Sequence, residues 1–63
     1  MKIIGWKYGA RSIDAIKSVR NHTGLSLAES KKLIERVLEG QIITLDEDIV
    51  LREELTEQRF IVE

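Results

Sequence analysis

The fold is decided by residues 12–38, which read SIDAIKSVRNHTGLSLAESKKLIERVL. Apolar residues recur at helical spacing on both sides of a short polar turn, so this stretch predicts two helices joined as a hairpin. Ser12 is the expected N-cap of the first helix. Gly24 suits its end, because glycine enters the left-handed conformation without a Cβ penalty. Ser26 and Glu29 have the spacing of a capping box that begins the second helix.

Length and composition narrow the class of protein. The chain has 63 residues, one histidine and no cysteine. This length fits one small domain, residues 1–63, near the lower limit for a self-sufficient hydrophobic core. Without cysteine we expect neither a disulfide nor a structural zinc site, and no cofactor is indicated. No apolar run approaches a membrane span and no signal-peptide pattern opens the chain, so we expect a cytoplasmic protein without a membrane partner.

Charge is distributed unevenly along a chain whose net charge is only −1. Residues 1–32 carry seven cations and two anions, a net charge of +5, whereas residues 33–63 carry three cations and nine anions, a net charge of −6. Such a dipole can orient a domain on an acidic partner. Two ordinary solvated faces would give the same distribution, and both interpretations stay open.

Short strands flank the helical hairpin. Isoleucines and aromatic residues predict a strand at residues 2–8, and further strands are expected at 41–44 and 59–62. Together with a third helix, these elements follow the order β-α-α-β-α-β. The sequence therefore predicts an α+β fold of two layers, in which the helices cover one face of a small sheet.

The third helix is the least regular element. Thr44 and Glu47 have capping-box spacing, so residues 46–57 are expected to be helical, with Leu51 and Leu55 as core anchors. The alternative is a hairpin around residues 46–48. The helix is preferred because the polar run after Leu51 is poor strand material.

No catalytic constellation appears in the sequence, and we expect no enzymatic activity. His22 is the only imidazole and lies near the end of the first helix, where the helix dipole favours it. No phosphate-binding loop, dinucleotide fingerprint, metal-ligand spacing or nucleophile elbow is present.

The first helix has an apolar residue outside its core stripe. At about 100° per residue, Ala15, Val19 and Ile16 form one stripe, with Ile16 at its border. Ile13 falls on a different face, between Lys17 and Arg20. An apolar residue among cations is typical of a small protein-binding surface. The alternative is that Ile13 covers the helix start or contacts the first strand.

Residues 16–35 follow the pattern IKxVRxxTGLxLxExKxLxE, which resembles the C-terminal domain of the bacterial large-subunit ribosomal stalk protein (the L-seven/L-twelve type). The match extends from about residue 9 to residue 35. The resemblance implies a three-stranded antiparallel sheet and a non-enzymatic role in binding translational GTPases. Carried over by position, the partner-binding residues are Ile13, Ile16, Lys17, Arg20 and Lys31.

Some positions depart from that family. Ser12 replaces a lysine at the helix start, for which Arg11 can substitute as a partner-binding residue. Ser26 replaces the second glycine of the turn. The family's N-terminal dimerising domain and hinge have no counterpart here, so we expect a free-standing relative or mimic of the stalk domain.

The first strand suggests a second surface. In the aligned register Ile4, Trp6 and Tyr8 lie on the outer face of the sheet, where they could mediate homodimerisation or dock a second partner. The alternative is a register shift that buries Trp6 under the helices. Two further functions stay open: a small nucleic-acid-binding protein that stacks bases on Trp6 and Tyr8, and a dimeric inhibitory or structural module that uses this sheet face.

Overall fold

The structure, a computed structural model, describes residues 1–63. Its elements in chain order are β1 (Lys2–Trp6), α1 (Ser12–Thr23), α2 (Leu27–Leu38), β2 (Ile43–Thr44), α3 (Ile49–Glu57) and β3 (Phe60–Val62). The three strands form an antiparallel sheet in the order β2-β1-β3. The predicted α+β class, element order and three-stranded antiparallel sheet are confirmed.

The helices lie over the sheet and on one another. The helix α2 packs against β1 and β2, α3 packs against β3, and α1 packs against both α2 and α3. One core joins these elements through nine buried hydrophobic residues: Ile3, Ala15, Val19, Ile34, Val37, Ile43, Leu51, Leu55 and Phe60. The expected anchors of α3 are confirmed. On α2 the buried side chains are Ser30, Ile34 and Val37, whereas Leu33 is half-buried at the edge of the core.

The hairpin between α1 and α2 forms as its local signals predict. Gly24 ends α1 with a φ of 76°, and its N–H donates to the Arg20 carbonyl at 3.1 Å. Ser26 begins α2, because its Oγ accepts from the Glu29 N–H at 3.1 Å. The capping box is half formed: the Glu29 carboxylate accepts from the Ser26 hydroxyl at 3.2 Å.

Two helix starts differ from the prediction. Ser12 is the first residue of α1, and Arg11 occupies the N-cap position without a side-chain cap bond. The third helix begins at Ile49, because Asp48 is the N-cap and its carboxylate accepts from the Leu51 N–H at 3.0 Å. Residues 45–48 are needed to connect β2 to α3, so the expected cap at Thr44 is wrong. The helical conformation of residues 49–57 rules out the alternative hairpin.

None of the helices combines the length and the apolar composition that crossing a bilayer would require.

Candidate protein-binding surface

The helix α1 has one face in the core and one in solvent. Ala15 and Val19 are fully buried between the neighbouring helices. On the opposite face Ile13 is 69% exposed, and Lys17 and Arg20 are both exposed. The predicted separation of these residues from the core of α1 is therefore correct.

The remaining residues of the predicted surface lie at the border of this face and on α2. Ile16 is half-buried and packs against the core, so it forms the border between the two faces. Lys31 is exposed on α2. Lys32, about 100° away around that helix, lines a cavity next to β2, which puts Lys31 on the flank that turns away from β2. We call Ile13, Ile16, Lys17, Arg20 and Lys31 the α1–α2 patch.

Arg11 differs from the other cations of the predicted site because it is engaged in the fold. Its Nε lies 3.7 Å from the Asp14 carboxylate, and its guanidinium donates to the Glu57 carbonyl at 3.3 Å. Its backbone N–H also donates to the Gln58 carbonyl at 3.0 Å. Arg11 thus joins the start of α1 to the end of α3, and its charge is partly neutralised by Asp14.

The cations of the α1–α2 patch have no acidic partner in the fold. Every ion pair within 4.0 Å uses Met1, Arg11, His22 or Arg52 as its cation. Lys17, Arg20 and Lys31 form none, and all three side chains are exposed to solvent. A positive surface of this kind attracts an acidic partner over roughly a Debye length, about 8 Å at physiological ionic strength.

The predicted second surface on the sheet does not exist as one face. In the β1–β3 pair, Ile3 lies opposite Val62, Gly5 opposite Ile61 and Trp6 opposite Phe60. Two steps along β1 therefore match one step along β3, which is a β-bulge with Ile4 as the extra residue. A bulge reverses the alternation of side chains along the rest of the strand.

Trp6 consequently lies on the face that the helices cover. It pairs with buried Phe60, and its indole N–H donates to the Leu38 carbonyl at the end of α2 at 3.3 Å. Gly5 moves to the opposite face, beside Ile61. Tyr8 is 94% exposed in the turn after β1, and Ile4 is half-buried. The expectation that Ile4, Trp6 and Tyr8 share the outer sheet face is wrong. The alternative that buries Trp6 under the helices is also wrong, because Trp6 stays 45% exposed at the edge of the helix-covered face.

His22 joins α1 to the start of α3, a contact that the sequence does not indicate. Its Nδ1 lies 3.2 Å from an Asp48 carboxylate oxygen, and its Nε2 lies 3.3 Å from a Glu54 carboxylate oxygen. The Asp48 carboxylate accepts a hydrogen bond from the Leu51 N–H, and this bond holds the pKa of Asp48 below its ordinary value. The neighbouring His22 ring lowers that pKa further. These contacts stabilise the packing of α1 on α3. They span more than 25 positions of the chain, so no local pattern could have revealed them.

Comparisons with protein-family models, curated proteins and solved structures gave no match to this chain.

Proposed function

We propose that this chain is a non-enzymatic protein-binding module, and that its α1–α2 patch docks on an acidic surface of a partner protein. The observation that carries the proposal is the position of Ile13, which is 69% exposed between two cations without acidic partners. At this exposure Ile13 buries little apolar surface within the isolated chain. A partner that covers it would remove apolar surface from water.

The patch supports two steps of recognition. Lys17, Arg20 and Lys31 steer an acidic surface into contact, since charge complementarity acts mainly on the association rate and on the choice of partner. Ile13 then becomes buried in the contact, with Ile16 at its edge. Full burial of an isoleucine side chain is worth about 1.5–3 kcal/mol. Arg11 has a lesser role, because Asp14 and Glu57 already hold it.

The resemblance of residues 16–35 to the ribosomal stalk domain suggests a translational GTPase as the partner. The same resemblance implies a non-enzymatic role, so the test measures binding and not a reaction. The partner class rests on this resemblance alone, whereas the chemistry of the patch requires only an acidic protein surface with room for an apolar side chain.

The test is a titration of the fluorescently labelled chain with a purified bacterial translational GTPase. We expect the double variant Lys17→Glu and Arg20→Glu to bind about tenfold more weakly, because each reversal replaces an attraction by a repulsion. The matched control is Lys2→Glu with Lys7→Glu, which changes the net charge equally at two exposed positions outside the patch. The control should bind within about twofold of the wild type.

Equal affinities of the wild-type chain and the Lys17/Arg20 variant would overturn the proposal. Loss of affinity in both double variants would mean that only net charge matters. A nucleic-acid-binding protein would instead bind unrelated RNA or DNA with an affinity that falls steeply with salt, so the same variants are titrated with a single-stranded oligonucleotide at two salt concentrations.

A further inference from the structure

Two cavities meet at the edge strand β2. The first, of about 440 Å³, lies between the end of α1 and the segment that leads into α3. The second, of about 360 Å³, lies between α2 and β2. Leu25, Thr44 and Leu45 line both cavities. The two cavities are therefore one groove with a shared centre, which we call the β2 groove.

The backbone of β2 is free on the side of this groove. β2 is at the edge of the sheet and pairs only with β1, where Thr44 lies opposite Lys2. The Lys2 N–H and C=O are bonded to Glu63, at 3.1 and 2.8 Å, and so point towards β3. In an antiparallel ladder, opposed residues either exchange both bonds or neither. The N–H and C=O of Thr44 therefore point outward, and Thr44 is exposed.

The two ends of the β2 groove carry opposite charge. Asp46, Glu47 and Asp48 line the end next to α3. Arg52 pairs with Glu47 and His22 pairs with Asp48, but Asp46 has no cationic partner within 4.0 Å. At the other end the groove is positive.

The positive end is formed by Lys32 and Arg36 of α2. Neither forms an ion pair, and the one carboxylate there, that of Glu29, accepts from the Ser26 hydroxyl. Between the two ends, half-buried Leu25, Leu33 and Leu45 supply an apolar floor. Leu33 lies on the opposite flank of α2 from Lys31, so the β2 groove is separate from the α1–α2 patch.

We propose that the β2 groove binds an extended peptide segment of a partner protein. The segment adds a strand antiparallel to β2 and pairs with the free N–H and C=O of Thr44. Every second side chain of such a strand faces the groove. The groove selects a basic, an apolar and an acidic residue at three successive inward positions.

The direction of β2 fixes the order of the three selected residues along an antiparallel peptide. The Gln41 N–H donates to the Arg36 carbonyl at 2.9 Å, so β2 begins near the positive end of the groove and runs towards Asp46. An antiparallel strand runs the other way. Its basic residue therefore comes first, near Asp46, and its acidic residue comes last, near Lys32 and Arg36. The apolar residue between them lies over Leu25 and Leu45.

The probe is the capped peptide acetyl-Thr-Lys-Thr-Leu-Thr-Glu-Thr-amide, titrated into the isotopically labelled chain and followed by NMR. We expect binding that saturates at a Kd below about 1 mM, with hydrogen exchange of the Thr44 amide slowed about tenfold at saturation. The control peptide has its Lys and Glu exchanged and should bind at least about fivefold more weakly.

Two variants of the chain isolate the contacts. Thr44→Pro removes the outward N–H at an edge position, where proline breaks no hydrogen bond of the sheet. This variant should bind the probe peptide about tenfold more weakly. The double variant Lys32→Glu with Arg36→Glu should bind the probe peptide and the control peptide with equal affinity. If the proline variant does not fold, this double variant alone tests the proposed groove. The Lys17/Arg20 variant serves as the matched control and should bind the probe like the wild type.

The proposal is overturned if the probe does not saturate, if both peptides bind equally, or if the shifted resonances belong to the α1–α2 patch. It is also overturned if the Thr44 amide is protected in the free chain because two copies pair at β2. Since the Lys17/Arg20 variant keeps the groove intact, failure of this proposal is distinguishable from failure of the proposed function.

Discussion

The Ser30 hydroxyl is buried without a hydrogen-bond partner, and replacing Ser30 with alanine should make the protein more stable. The side chain is fully buried in the middle of α2, and its Oγ has no hydrogen-bond partner. The backbone contributes normally, since the Ser30 N–H donates to the Ser26 carbonyl at 2.9 Å. Ser30→Ala removes the unpaired oxygen and leaves this helical bond in place.

The expected gain combines three effects. Burying a hydroxyl without a partner costs about 1–3 kcal/mol on scales from protein mutations. Alanine is also favoured over serine inside a helix by about 0.5 kcal/mol. The void left by one oxygen atom costs about a few tenths of a kcal/mol in the opposite direction. We therefore expect Ser30→Ala to raise the free energy of unfolding by about 1–3 kcal/mol, and Tm by at least about 5 °C.

The assay is urea unfolding followed by circular dichroism, with two other serines as controls for the same substitution. Ser26→Ala loses the N-cap of α2 and should cost about 1 kcal/mol. Ser18→Ala removes the acceptor of the buried Gln58 side-chain amide, which donates at 2.9 Å, and should cost about 1–3 kcal/mol. A loss of stability in Ser30→Ala comparable to that in Ser26→Ala would refute the reasoning.

Three further predictions concern the backbone and the acidic residues. Gly24→Ala should lower the free energy of unfolding by about 1 kcal/mol, because Gly24 has a φ of 76°; an unchanged urea midpoint would exclude this strain. Arg59 has a φ of 68°, so Arg59→Gly should leave stability unchanged or raise it by up to about 1 kcal/mol, and a clear loss in the same assay would contradict this. The pKa values of Glu47 and Asp48 lie below their ordinary values of 4.5 and 3.8 because of Arg52 and the Leu51 N–H respectively. Folding therefore favours the ionised carboxylates: their contribution is complete above the ordinary values and is lost as the pH falls through the lowered ones. As the pH is lowered below about 4.5, the urea midpoint should decrease. The decrease should be less steep in Asp48→Asn, which retains an N-cap. The same dependence of the midpoint on pH in both proteins would show that the Asp48 charge contributes nothing.

The helical hairpin could be predicted because its signals are local. Gly24 and Ser26 act within three or four residues of their own positions, and the apolar spacing on either side needs no knowledge of the rest of the chain. The exposure of Ile13 follows from the same spacing. Its position opposite Ala15 and Val19 is a property of helix geometry alone.

The start of α3 shows where local rules become ambiguous. Thr44 and Asp48 both satisfy the preference for an N-cap, and the sequence alone does not choose between them. The choice is made by the connection from β2, which uses residues 45–48 before the helix can begin. The Glu47 carboxylate, expected at a cap, instead accepts from the Arg52 guanidinium at 2.9 Å.

The faces of β1 could not be predicted, because strict alternation assumes a regular register. The bulge at Ile4 arises from pairing with β3, more than 50 residues away, and it transfers Trp6 to the helix-covered face. The engagement of Arg11 with Glu57 is likewise a contact across 46 positions. Both features became visible only when the distant segments were brought together.

The proposed function depends most directly on Ile13. A single variant separates two roles for this residue, contact with a partner protein and cover for the start of α1. We predict that Ile13→Ser changes the free energy of unfolding by less than about 0.5 kcal/mol, since substitutions at exposed positions seldom exceed that. Its affinity for a translational GTPase should fall about five- to thirtyfold. Ile13 is 69% exposed, and burial of its apolar surface by the partner is worth about 1–2 kcal/mol. A variant that loses stability and keeps its affinity would show that Ile13 covers the helix start, and would contradict the proposed binding surface.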